Sequence, residues 1–139
     1  MTDSSSVDHV RPLADLRSVC NMPDSMVRKT YFMLMVVEMD RALHFYTEAF
    51  DATVSLHTPY WSELVVAGST VALHPGRRGG DYETGLGFEV DNLQAALETA
   101  ASLGGRITDP PRDRPGEGIR IAQLADTEGN VLTVAEPTR

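Results

Sequence analysis

Tyr31-Phe-Met-Leu-Met-Val-Val-Glu-Met-Asp-Arg-Ala-Leu43 and Gly85-Leu-Gly-Phe-Glu-Val-Asp-Asn-Leu-Gln-Ala-Ala-Leu97 are two versions of one pattern, a strand-like run that turns into a helix-like run, with a one-residue slip around each helix start. A pattern that recurs after about fifty residues outweighs local propensity, because such a unit buries its apolar face against its copy. In the first copy Phe32, Leu34 and Val36 alternate with Tyr31, Met33 and Met35, so the strand is apolar on both faces and both faces are covered. After Glu38-Met39-Asp40 the period changes. Ala42, Phe45, Tyr46, Ala49 and Phe50 make one helical stripe facing a core, and His44 falls on the solvent side.

Strands are expected at 53–58, 61–67 and 70–74, the last two split by the turn Ala67-Gly68-Ser69, and Pro75-Gly76 closes the module. In the second copy Leu86, Phe88 and Val90 oppose Gly85, Gly87 and Glu89. Asp91 or Asn92 caps a helix that buries Leu93, Ala96, Leu97 and Ala100, and Gly104-Gly105 stops it. Residues 105–108 read as a strand and 109–118 as a loop rich in Pro, Arg and Gly. Strands at 119–124 and 131–136 pair around Asp126-Thr-Glu-Gly-Asn130, whose Gly-Asn can take the positive φ of a tight turn. Each module is β-α-β-β-β. The expected fold class is α+β: two βαβββ modules forming a curved, partly open mixed sheet, with helices outside and a concave pocket inside. Residues 1–27 are expected to be a flexible arm, and 28–139 a single domain with modules at 30–76 and 83–136.

Composition narrows the partners. The 139 residues are 42% hydrophobic and 23% charged, ordinary for a globular domain, and the net charge of −8 argues against nucleic acid, whose phosphates need a basic face. The nearest basic cluster, Arg77-Arg78 with Arg112, Arg114 and Arg120, is interrupted by Asp81, Asp113 and Glu117 and reads as solvated loop surface. A single cysteine, Cys20, forms no internal disulfide and suits a reducing, cytoplasmic setting. No run reaches the 18 or so apolar residues of a membrane span, and the first 27 residues lack the basic-then-apolar order of a signal peptide, so an unexported protein is expected. Nucleophile-elbow, phosphate-loop and dinucleotide-turn motifs are absent from the sequence.

The residues Val36-Val-Glu-Met-Asp-Arg-Ala-Leu-His-Phe-Tyr46 with Phe50, Gly87-Phe-Glu-Val-Asp-Asn-Leu93 and Asp126-Thr-Glu-Gly-Asn-Val-Leu132 resemble the vicinal oxygen chelate superfamily, which holds glyoxalase I, bleomycin-resistance proteins and extradiol dioxygenases. The resemblance spans residues 30–136. It is specific for the fold and unspecific for the chemistry. Metal-dependent members carry four His, Glu or Gln ligands on the concave side of four strands. By resemblance these positions fall on Tyr31, on or beside Ala72, on Gly85 and on Thr133. A shift of one residue gives Thr30 or Phe32, Val71 or Leu73, Thr84 or Leu86, and Leu132 or Val134, again with no usual ligand. The resemblance therefore implies a member without the familiar metal site and without a cofactor.

Strand parity sends Tyr31, Met33, Met35, Ala72, His74, Gly85, Gly87, Glu89, Val131 and Thr133 to the concave side, where the small residues leave room for a ligand. His57-Thr-Pro-Tyr-Trp-Ser-Glu63 adds Tyr60 and Trp61, rings that either stack on a planar or cationic guest or close one end of the core. The candidate ligand-binding set is Tyr31, Met33, His57, Tyr60, Trp61, Glu63, His74, Gly85 and Thr133. His74 and Glu63 are the candidate acid–base groups, against the plainer readings of a strand-end histidine and a solvated glutamate. Three functions fit. The first is a metal-free homodimeric protein that sequesters a drug-like, cationic or aromatic small molecule, as in antibiotic resistance. The second is a glyoxalase-type lyase, isomerase or dioxygenase with an unconventional metal set such as His57, Glu63, His74 and Glu89. The third is a metal-free biosynthetic enzyme using His74, Glu63 or Tyr31.

Overall fold

Residues 26–138 are described by a computed structural model, which lays the two copies of the repeat down as two four-stranded sheets. The first module runs β1 (Phe32–Val36), α1 (Met39–Phe50), β2 (Thr53–Leu56), β3 (Ser62–Val66) and β4 (Ser69–Pro75), with sheet order β1-β4-β3-β2. The second runs β5 (Tyr82–Glu89), α2 (Leu93–Ser102), β6 (Arg106–Arg114), β7 (Ile119–Ala125) and β8 (Asn130–Pro137), with order β5-β8-β7-β6. In each sheet the first strand pairs parallel with the last and the other pairs are antiparallel, so both sheets are mixed. The α+β architecture of two βαβββ modules is the one the repeat predicts.

Alternation decides how β1 is used. Leu34 and Val36 are buried in the core, while Tyr31 and Met33, of the opposite parity, are about half exposed at 52% and 47%. The α1 stripe buries Met39, Ala42, Leu43, Phe45 and Tyr46, and the helix ends where Asp51 turns left-handed at φ 55°. In α2 the Asn92 side chain accepts from the Ala95 amide, the N-cap that the sequence suggests. Both modules feed one core, in which Leu34, Phe45 and Tyr46 join Leu93, Leu97, Leu124 and Leu132. An aromatic bridge crosses between them, with Tyr46 and Phe88 edge to face at 6.5 Å and Phe50 and Phe88 at 4.6 Å. At about 2 kcal/mol for each fully buried side chain, this shared core makes the modules depend on each other.

One expectation is corrected. The segment 109–118, read as a loop for its prolines, holds strand through Arg114. β6 is the outer strand of its sheet and pairs only with β7, and the consecutive Pro110 and Pro111 fall in the stretch between Asp109 and Arg112 where neither is in register with β7, so no ladder donor is needed from them. Register shifts between Ile107 and Asp109 and between Asp109 and Arg112 absorb the misfit. The arm expected over residues 1–27 lies almost wholly outside the described residues, and among those described no helix is long and apolar enough to cross a membrane.

Candidate functional site

Register places a row of side chains across the concave face of the first sheet. Met33 stands opposite Ala72, Ala72 opposite Glu63, and Met35 opposite His74. Above that row the Trp61 ring meets Tyr31 edge to face at 5.4 Å and His74 at 6.1 Å. Its Nε1 donates to Glu63 Oε2 at 2.8 Å, which fixes both the indole plane and the carboxylate. His74 Nδ1 lies 2.6 Å from the Pro75 carbonyl oxygen; in the tautomer that donates there, Nε2 remains as an acceptor. Tyr31, Trp61, Glu63 and His74 thus form one aromatic, singly acidic corner beside the half-exposed Met33. That corner can stack on a flat guest, with the Glu63 carboxylate at its edge.

The other predicted residues are placed differently. His57 is engaged by Asp40 on the first turn of α1, with Nε2 3.0 Å from Oδ1. Tyr60 is 76% exposed on the loop before β3. Gly85 and Thr133 belong to the second sheet. Gly85 has φ 81° and sits in the irregular stretch between Glu83 and Gly87, while Thr133 faces Gly87 so closely that a Cβ there would stand 2.8 Å from Oγ1. A groove of about 390 Å³ between β1 and the start of β5 links the two sheets, bordered by Tyr31, Met33, Arg77, Tyr82 and Glu83.

Arg77 corrects its sequence reading as part of a solvated basic surface. Its guanidinium lies 3.6 Å from the Tyr82 ring centroid and donates to the carbonyls of Glu128 and Gly129 at 3.1 and 2.7 Å. No motif marks it, because its partners are backbone oxygens about fifty residues away.

A divalent cation does not fit the four positions implied by the resemblance. Ala72 and Gly85 have no donor, and Tyr31 and Thr133 offer only neutral hydroxyls. Among the described residues no three of His, Cys, Asp or Glu gather as a metal site, so His57, Glu63, His74 and Glu89 do not assemble into one.

The β7–β8 turn performs a task that its tight-turn reading does not reveal. The Glu128 side chain is fully buried, and Oε1 accepts from the amides of Val37 and Glu38, the two residues that lead into α1, at 2.8 and 2.9 Å. Arg41 donates to Oε2 at 2.8 Å and Thr127 at 2.6 Å. Burial pushes the Glu128 carboxyl up, but the hydrogen bonds from Arg41, Thr127 and the two amides outweigh it and hold the group below its ordinary range. Behind it Tyr46 donates to Asp126 Oδ2 at 2.5 Å, and Asn130 Nδ2 bonds both Asp126 and the Met35 carbonyl. Burial first, then the Asp126 charge, raises the Tyr46 phenol well above its ordinary value, so it stays a donor. This turn clasps the second module to the first.

The glyoxalase/bleomycin resistance protein/dioxygenase superfamily model matches residues 29–134, and the chain belongs to that superfamily. No curated protein sequence matches it. Among solved structures it is similar to a fosfomycin resistance protein, FosX, from Listeria monocytogenes, at 15% identity over 82% of this chain and 96% of that one, with a TM-score of 0.67. A superfamily member from Sphaerobacter thermophilus is 22% identical over 80% and 98%, with a TM-score of 0.66. TioX from Micromonospora is 18% identical over 80% and 99%, with a TM-score of 0.62. At these identities the likeness establishes the fold.

Proposed function

We propose that this protein binds a planar, aromatic or cationic small molecule on its concave face and sequesters it without metal or turnover. The carrying observation is the corner formed by Tyr31, Trp61, Glu63 and His74, where stacking surface and one fixed carboxylate adjoin. Sequestration needs affinity alone, and the donor set does not suit a resident cation. Tyr31, Met33, Leu56 and Val65 leave this sheet face apolar and open in a single chain, and the covering partner in this reading is a second copy, giving a homodimer. A superfamily that includes bleomycin resistance proteins, and a neighbour described as a fosfomycin resistance protein, support a drug-like guest. Lone Cys20 and the acidic composition support a cytoplasmic setting without nucleic-acid partners.

The test is titration with planar aromatic cations, followed by Trp61 fluorescence and calorimetry. Trp61→Ala is expected to weaken binding by about 1–3 kcal/mol; an unchanged affinity removes the ring from the site. Sedimentation that finds only monomer at every concentration removes the enclosing dimer. A second reading, metal-free acid–base catalysis, rests on His74 and Glu63 both touching Trp61. It requires a substrate whose turnover His74→Ala abolishes while its binding persists.

A further inference from the structure

The repeat creates two junctions between the modules, and they are filled differently. At one, the β7–β8 turn drives Glu128 against the end of β1 and the start of α1. At the other, the corresponding β3–β4 turn faces the end of β5 and the start of α2 across a crevice. This turn is the short Ala67-Gly68 link, and the residues aligned with Arg41 and Tyr46 are Ala95 and Ala100. The α2 N-terminus is already served within its own module, by Asn92 and by Glu136, which accepts from the Leu93 amide at 2.5 Å. Nothing is inserted from the β3–β4 turn, and a crevice of about 780 Å³ remains.

Its wall chemistry is divided. The floor is apolar, made by Phe32, Phe50, Leu86 and Phe88, with Phe50 and Phe88 packed at 4.6 Å. The rim carries the exposed carboxylates of Asp51, Glu89 and Asp91, and among the described residues none of the three is in an ion pair. Among the described residues no cationic side chain lines the crevice.

We propose that this crevice is a second binding site, separate from the Trp61 corner, for small cations that carry aromatic or bulky apolar groups. Its volume matches pockets that enclose small ligands, which span roughly 300–1,000 Å³. The phenylalanine floor takes the apolar body. The three unpaired carboxylates meet the positive charge at the mouth, where partial exclusion of water strengthens the attraction. The same rim repels anions, and it repels the acidic surface of a second copy of this chain.

Tetraphenylphosphonium and tetraphenylborate, alike in shape and opposite in charge, test this by calorimetry on the full chain. The phosphonium is expected to bind at least about tenfold more tightly than the borate, and Asp51→Asn/Glu89→Gln/Asp91→Asn to remove that preference. Asp51→Asn keeps a residue suited to the left-handed position. A control triple with the same change in net charge, Glu98→Gln/Asp113→Asn/Glu117→Gln, is expected to keep the preference. Ala96→Phe, which fills the crevice, is expected to lose phosphonium binding; if that variant does not fold, the two triples decide. The proposal is overturned if the two ions bind alike, if both triples lose the preference equally, or if Trp61→Ala abolishes phosphonium binding, since the probe then sits on the concave face.

Discussion

The two module junctions occupy equivalent places in two copies of one fold, yet one is stitched shut and the other is hollow. The shut junction buries a carboxylate, which is tolerable only because every lone pair finds a donor, including the two amides that lead into α1. The open junction has a turn too short to insert, alanines in place of the arginine and tyrosine, and a helix that caps itself. Topology fixes where the junctions fall; side-chain chemistry decides which one holds the molecule together and which one is left with space for a guest.

Breaking the clasp is expected to have the largest effect. Glu128→Ala strands the guanidinium of Arg41 and the amides of Val37 and Glu38, and should cost about 3 kcal/mol in urea unfolding. A loss under about 1 kcal/mol, the size of an ordinary hydrogen bond, would mean that water replaces the carboxylate and the two junctions differ little in strength.

Acid probes the same contact less drastically. The folded-state value of Glu128 lies below the ordinary 4.5, so its contribution is complete above that value and fades as pH falls through the lower folded one. Glu128→Gln should therefore show a shallower decline of stability with acid than the parent, and identical slopes would place the acid sensitivity elsewhere. Tyr46→Phe should cost about 1 kcal/mol, because Asp126 keeps its bonds from Asn130 and from the amides of Glu128 and Asn130. The smallest effect belongs to the open junction. Ala67 sits at φ 48°, and Ala67→Gly should stabilise by about 0.5 kcal/mol, since relief of left-handed strain exceeds the added chain entropy. Destabilisation there would show that the Ala67 methyl packs usefully at the crevice mouth.

Much of the fold was legible because it rests on periodicity. The stripe of α1, the cap at Asn92 and the repeat itself are local signals, and each matches the structure, whereas the expectation that both faces of β1 are covered is corrected: Tyr31 and Met33 are half exposed, because only the Leu34 and Val36 face turns into the core. The prolines of β6 misled because tolerance for them depends on being the outer strand, which is a property of sheet order. Parity likewise predicts that Met33, Ala72 and His74 share a face, and register bears this out. The meeting of Trp61 with Tyr31 and His74, and the engagement of His57 by Asp40, depend on loop paths that no spacing encodes. The clasp was hidden for a similar reason. Asp126-Thr-Glu-Gly-Asn130 has every mark of a turn, and nothing local shows that Glu128 reaches backbone amides ninety positions earlier.

By itself, the sequence determined the two βαβββ modules, the core-facing stripes and the lack of usual ligands at the four implied positions, because these follow from residue type and spacing along a chain of known pitch. Only the tertiary structure decided that the modules share one core, that an acidic turn locks one junction and that the other stays open. Those outcomes depend on contacts between residues far apart in sequence, and which distant partner a buried carboxylate or an aromatic ring meets is set when the two sheets pack.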